Sequence, residues 1–133
     1  MTLSDLNLHL DMVTQLANAR DRLQSMRESV MRAQTYDAMP HGTGASDKVG
    51  KLAILIVEQE EEVARYEKIV ERSEIGVKEY IDTIQDNRTK LIFKLRFVCG
   101  FSWAEVADVI GGRNTEEAVK SVCYRYLQVD GEP

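Results

Sequence analysis

The chain has 133 residues, which allows one domain or a small domain with an extended element. Hydrophobic residues make up 44% and charged residues 29%, a balance that excludes a disordered chain. The net charge of −5 is uneven: residues 1–87 hold ten basic and sixteen acidic residues, whereas residues 88–127 hold seven basic and four acidic ones, so nucleic acid stays open as a partner.

The first predicted element is a helix over residues 3–34. Apolar residues recur along it at alternating steps of four and three, which places them on one stripe of a helix. Ser4 and Asp5 can cap its N-terminus. The stripe comprises Met12, Leu16, Ala19, Leu23, Met26, Val30 and Ala33.

A linker over residues 36–46 follows, because Pro40 and two glycines lie within five residues and oppose a helix interior. A second helix is predicted to begin near Ser46. Its apolar stripe comprises Val49, Leu52, Ile56, Gln59, Val63, Tyr66 and Val70. The two helices predict a coiled-coil-like helical hairpin, which we assign to a first domain over residues 1–72.

The run from Leu52 to Val57 is apolar nearly all round the second helix, so we expect it to be covered on more than one side. Either the hairpin itself covers it or a second copy of the chain does, as a homodimer. The acidic cluster of Glu58, Glu60, Glu61 and Glu62 follows. No histidine accompanies the cluster, so it favours a solvated face over a metal site.

In a second domain over residues 73–133, the second long helix is expected to restart around Ser73 to Gly76 as a short third helix with Val77 to Ile84 on its apolar face. A fourth helix is predicted over residues 88–98. Asp86-Asn87 would cap the latter, and Gly100 would end it in a left-handed conformation. The side chains expected inside are Val77, Tyr80, Ile81, Ile84, Leu91, Ile92, Leu95 and Val98.

A helix that begins at a capping box is predicted next. Ser102 and Glu105 have the spacing in which each side chain caps the backbone of the other residue. Gly111 and Gly112 stop this helix, and Trp103 is expected to anchor it on the preceding one. The side chains expected inside are Val106, Ala107, Val109 and Ile110.

A second capping box predicts the last helix. Asn114 and Glu117 have the same spacing, and the helix would run over residues 115–127. Its buried side chains are expected to include Val119, Val122 and Tyr126. Two capped helices joined by a tight glycine turn predict a helix-turn-helix, the motif whose second helix enters the major groove of DNA.

The exposed side of the last helix supplies candidate DNA contacts. Arg113 and Lys120 suit phosphate or guanine, and Glu116 suits the amino group of cytosine. Arg125 and Arg88 could reach flanking phosphates. The two acids at the start of the helix could instead serve only its dipole, and they repel phosphate. The full set of candidates is Arg113, Thr115, Glu116, Lys120, Ser121, Tyr124, Arg125 and Arg88.

Residues 87–127 resemble the fourth-region domain of bacterial sigma factors, a four-helix unit that reads a promoter element. The resemblance is carried by Leu95-Arg96-Phe97-Val98, by Gly100-Phe-Ser-Trp-Ala-Glu-Val-Ala and by Ile-Gly-Gly-Arg-Asn-Thr-Glu-Glu-Ala-Val-Lys. Small sigma-region-4-like proteins of phages and prophages look similar, and Met39-Pro-His-Gly-Thr-Gly44 also looks like their N-terminal half. The resemblance implies an all-α transcription regulator that works on double-stranded DNA, with RNA polymerase as a further partner.

Several other classes of protein are disfavoured. No apolar run approaches the ~18 residues of a membrane span, and no basic segment precedes an apolar one at the N-terminus, so we expect a cytoplasmic protein. His9 and His41 are the only histidines, and neither is placed with a nucleophile, so no enzyme is expected. Cys99 and Cys123 lie far apart in apolar stretches and are expected to be buried, with no metal and no cofactor.

The sequence therefore predicts an all-α, sequence-specific DNA-binding regulator. Its C-terminal module would bind duplex DNA, while the hairpin would form a dimer or contact RNA polymerase. Two alternatives stay open. Small DNA-packaging subunits of phages also join a helix-turn-helix to helical oligomerisation segments, and a helical module could grip another protein instead of DNA.

Overall fold

The computed structural model describes residues 1–37 and 44–130, and within these ranges the protein is all-helical. The predicted fold class and the long N-terminal helix are thereby confirmed. None of the described helices is long and apolar enough to cross a membrane. The helices are α1 (Leu3–Asp37), α2 (Gly44–Asp82), α3 (Asn87–Phe93) with a π-helical continuation (Lys94–Val98), α4 (Trp103–Ile110) and α5 (Glu116–Asp130).

Both ends of the predicted linker over residues 36–46 are helical in the structure. Its first two residues belong to α1 and its last three to α2, which begins two residues before Ser46. The middle of the linker, with Pro40 and Gly42, lies outside the described residues.

The chain divides into two compact units. Val13–Ile69 form one, which we call the paired-helix unit. Met1–Met12 and Val70–Pro133 form the other, which we call the C-terminal unit. The first residues of α1 and the last turns of α2 therefore pack in the C-terminal unit, whereas residues 1–12 were expected to belong to the hairpin domain.

In the paired-helix unit, α1 and α2 run antiparallel. Arg20 of α1 pairs with Glu67 of α2 at 3.2 Å, whereas Arg27, further along α1, pairs with Glu60, further back on α2, at 3.7 Å. Both predicted stripes face inward, because their members are all buried or half-buried. Exposed ion pairs contribute about 0–1 kcal/mol each, so the apolar stripes supply most of the stability of the pair.

The C-terminal unit has a core that combines short segments of every helix. Phe93 lies at its centre, with ring centroids 5.6 Å from Phe97 and 5.5 Å from Tyr126. Aromatic pairs of this kind contribute about 0.5–1.5 kcal/mol beyond their burial. The other fully buried side chains are Leu6, Val77, Ile81, Ile92, Val106, Val119 and Cys123.

The short third helix that was predicted to restart around Ser73 to Gly76 is not a separate element, because α2 continues without a break to Asp82. The Ser73 hydroxyl donates to the carbonyl oxygen of Val70 at 3.1 Å, so it is satisfied inside the helix and starts no new one. Gly76 is helical as well. A single glycine weakens a helix by about 1 kcal/mol without ending it.

The predicted helix over residues 88–98 changes register in its middle. Asp86 caps it as expected, accepting from the Thr89 amide at 3.0 Å, and Gly100 has the expected positive φ of 74°. The prediction for Leu91 is wrong, because this residue is exposed while Phe93 is buried. A π-helical turn contains one extra residue and rotates the helix surface relative to a continuous α-helix. A single helical period applied to residues 88–98 therefore assigns some residues to the wrong face.

His9 is a buried polar residue that ties α1 to α2 within the C-terminal unit. Its Nδ1 atom lies 2.6 Å from the Ser73 hydroxyl oxygen. Burial lowers the pKa of His9 below its ordinary value of 6.5, although the Glu74 carboxylate and the Phe97 backbone oppose this shift. The folded protein therefore favours the neutral imidazole.

Lowering the pH should destabilise the C-terminal unit through His9. The unfolded chain protonates His9 more readily than the folded one does, so the stability is present above the unfolded pKa and is lost as the pH falls from there through the lower folded pKa. We expect the free energy of unfolding to decrease between about pH 7.5 and pH 5.5, a window that avoids most carboxylates. Urea titrations should show a flatter profile for His9→Gln, and an unchanged slope in that variant would contradict the assignment.

Candidate nucleic-acid interface

α4 begins at the predicted capping box. The Glu105 amide donates to the Ser102 hydroxyl at 3.2 Å, and the Ser102 amide donates back to the Glu105 carboxylate at 3.3 Å. The helix ends at Gly111, and both Gly111 and Gly112 have positive φ, at 75° and 66°. Only glycine adopts this conformation at little cost, so the pair forces a tight turn.

Trp103 anchors α4 on the π-helical segment, as predicted. Its ring meets Phe97 edge to face with centroids 6.5 Å apart, and the Arg96 guanidinium lies 4.9 Å above it. The prediction for Val109 is wrong, because this residue is exposed. The inward face of α4 is already completed by Val106, Ala107 and Ile110.

The turn between α4 and α5 is held by Asn114. Its amide nitrogen donates to the Gly111 carbonyl at 2.9 Å, and its amide oxygen accepts from Arg88 of α3 at 2.5 Å. The predicted Asn114–Glu117 capping box is therefore wrong, and the capping residue is the next one along the chain. The Thr115 hydroxyl caps α5 instead, accepting from the Ala118 amide at 3.1 Å.

One stripe of α5 is buried in the core. Val119, Cys123 and Leu127 recur every four residues along it and are all buried. Burial raises the pKa of the Cys123 thiol to about 12, against the opposing charge of Arg96, so this cysteine acts as a small apolar residue. Cys99 is exposed, contrary to the sequence-based expectation.

The side of α5 opposite this stripe is open. A helix turns by about 100° per residue, so the residues that point away from Val119 and Cys123 can be read from the sequence. The polar residues among them are Glu117, Ser121, Tyr124, Arg125 and Gln128, all exposed or half-exposed. Three predicted contacts thus share one face, whereas Glu117 and Gln128 were missed, although helical spacing alone could have included them.

The other predicted residues lie around this face. Arg113 is in the turn and is exposed, and Thr115 is the cap. Glu116 and Lys120 lie on the flank nearest the buried stripe, and Arg88 belongs to α3. The Tyr124 ring meets the Trp103 ring edge to face at 6.1 Å, which fixes its position on the open side.

The charges near α5 are divided. Arg113, Lys120 and Arg125 form no ion pair within the part of the chain that the structure describes. Glu116 and Glu117 occupy the first turn of α5, where they stabilise the helix dipole. Arg113 thus precedes the acidic start of α5, whereas Lys120 and Arg125 follow it along the helix. Among residues 1–37 and 44–130 no cluster suits a metal ion.

No protein-family model, curated protein or solved structure matches the chain. The open side of α5 and the turn before it are therefore the observations from which a function can be inferred.

The turn should depend on Asn114. Asn114→Ala removes both hydrogen bonds and leaves the Gly111 carbonyl and the Arg88 guanidinium without this partner, so we expect a loss of about 1–2 kcal/mol in the free energy of unfolding. Urea denaturation measures it, with Gln128→Ala, an exposed position of α5, as the matched control. Equal stability of the two variants would show that the turn does not need this residue.

Proposed function

We propose that the protein is a DNA-binding transcription regulator in which α4 and α5 form a helix-turn-helix of the sigma-region-4 kind, as found in phage and prophage regulators. In this proposal α5 enters the major groove of double-stranded DNA. The observation that carries it is a pair of short capped helices joined by two left-handed glycines, with one side of the second helix buried and the other open.

Both helices are anchored in the core, which supports a rigid helix-turn-helix. Trp103 fixes α4 on the aromatic core, and the stripe of Val119 and Cys123 fixes α5. Since neither helix can rotate without exposing these side chains, the outer side of α5 keeps a constant orientation. Such preorganisation reduces the entropic cost of binding.

The candidate contacts divide into two kinds. Arg113, Lys120 and Arg125 would bind phosphates, which gives affinity without sequence information. Polar groups that could reach base edges would read the sequence, and these are Thr115, Glu116, Ser121 and Tyr124. Arg88 keeps donors beyond the one given to Asn114, so it could bind a flanking phosphate as well.

A second candidate function is binding to another protein, such as RNA polymerase. The specific observation in its favour is the acidic first turn of α5, because Glu116 and Glu117 oppose a phosphate and would favour a basic protein surface. The two candidates can be told apart by DNA binding. Only the first predicts that the protein binds duplex DNA, and that this binding weakens when the salt concentration rises or the basic residues are removed.

The salt dependence of DNA binding should identify the phosphate contacts. If Arg113 and Lys120 each neutralise one phosphate, the variant carrying Arg113→Ala and Lys120→Ala should bind more weakly, and its slope of log K against log salt should flatten by about 1.8. Fluorescence anisotropy on a duplex selected from a random pool measures this.

Lys68→Ala is the matched control, since Lys68 is an exposed lysine of the paired-helix unit, and its slope should equal that of the wild type. Absence of duplex binding by the wild type even at low salt would reject the DNA-binding function and favour a protein partner. A slope that the double substitution leaves unchanged would reject these two contacts.

A further inference from the structure

α2 carries an exposed apolar patch in the paired-helix unit. Ile54, Leu55 and Val57 keep 62%, 50% and 56% of their surface exposed. α1 covers only the other side of this run, where Leu52 and Ile56 are half-buried. Contiguous apolar patches on a surface commonly mark a binding site.

The charges around the patch divide into two groups. Glu60 and Glu62 pair with Arg27 and Arg22 across the two helices of the unit. Glu58 is exposed and forms no ion pair within the described residues. Two acids of the cluster thus form ion pairs within the unit, and Glu58 is left to interact with groups outside it.

Lysines before the patch and glutamates after it lie at equal distances along the chain from its centre. Lys51 lies three residues before Ile54, and Glu58 lies three residues after Leu55. Lys48 and Glu61 repeat this symmetry three residues further out. All four are exposed, and Lys51 forms an ion pair with Asp47, one turn earlier on its own helix, at 3.6 Å.

We propose that this face of α2 binds the same face of a second copy of the chain, antiparallel, with the two-fold axis between Ile54 and Leu55. In this arrangement each Lys51 lies level with Glu58 of the second copy, and every contact occurs twice. At about 100° per residue, Lys51 and Glu58 both lie midway between Ile54 and Leu55 on the helix surface.

The charge pattern selects this partner and this direction. A parallel pair would place each Lys51 beside another Lys51, whereas the antiparallel pair places Lys51 level with Glu58 and Lys48 level with Glu61. The same register sets Asp47 level with Glu62, but Lys51 and Arg22 of their own chains already pair with these two acids. The apolar residues at the axis supply the affinity, with Ile54 and Leu55 each meeting its own copy. The ion pairs set the register, since exposed pairs add little affinity. The contact is small, so the dimer dissociates on dilution.

The oligomeric state of the whole chain, measured by sedimentation equilibrium over a wide range of concentration, tests this interface. The wild type should pass from monomer to dimer as concentration rises. Leu55→Lys should weaken the dimer about a hundredfold or more, because it places two charges at the axis. The matched control is Ile75→Lys, on the same helix at a similar exposure of 54%, which should dimerise as the wild type does.

A charge exchange tests the register and the direction. Lys51→Glu or Glu58→Lys alone should weaken the dimer about tenfold, because each places like charges together at two symmetric contacts. The double variant restores opposite charges and should recover wild-type affinity, while Lys68→Glu should have no effect.

Three results would overturn the proposal: a monomer at every concentration, a dimer that Leu55→Lys does not weaken, or a double variant that dimerises no better than the single ones. DNA binding is measured separately, so its failure leaves these outcomes intact.

Discussion

The burial of one stripe of α5 against the core around Phe93 determines what the C-terminal unit presents to solvent. Val119 and Cys123 are fully buried, so rotating the helix would expose apolar surface at about 25 cal/mol for each Å². The orientation of the opposite side follows from this constraint. Ser121, Tyr124 and Arg125 face solvent because the opposite side of the helix is buried in the core.

The paired-helix unit buries less apolar surface on α2. Its stripes cover one side of α2 only, and its exposed ion pairs add little. The apolar residues on the far side, Ile54 and Leu55, therefore stay in contact with water. The two units thus present different chemistry: a polar and partly basic side on α5, and on α2 an apolar centre between charges of opposite sign.

Long-range and local interactions differed in how well the sequence revealed them. The stripes of α1 and α2 were predictable because their spacing persists over many turns, and the Ser102 box because it spans four residues. The Asn114 cap was mispredicted because its amide is bound by Arg88, which is 26 residues away. The His9 contact spans 64 residues and left no local sign. The π-helical turn and the continuous α2 depended on packing, which periodicity does not report.

NMR of the isotope-labelled chain during titration with duplex DNA tests most directly whether the open side of α5 reads a groove. We expect chemical-shift changes concentrated on the turn and on that side, at Arg113, Ser121 and Arg125, with little change at buried Cys123 and none in the paired-helix unit. Changes confined to the paired-helix unit, or no change at low salt, would contradict the proposed role of α5.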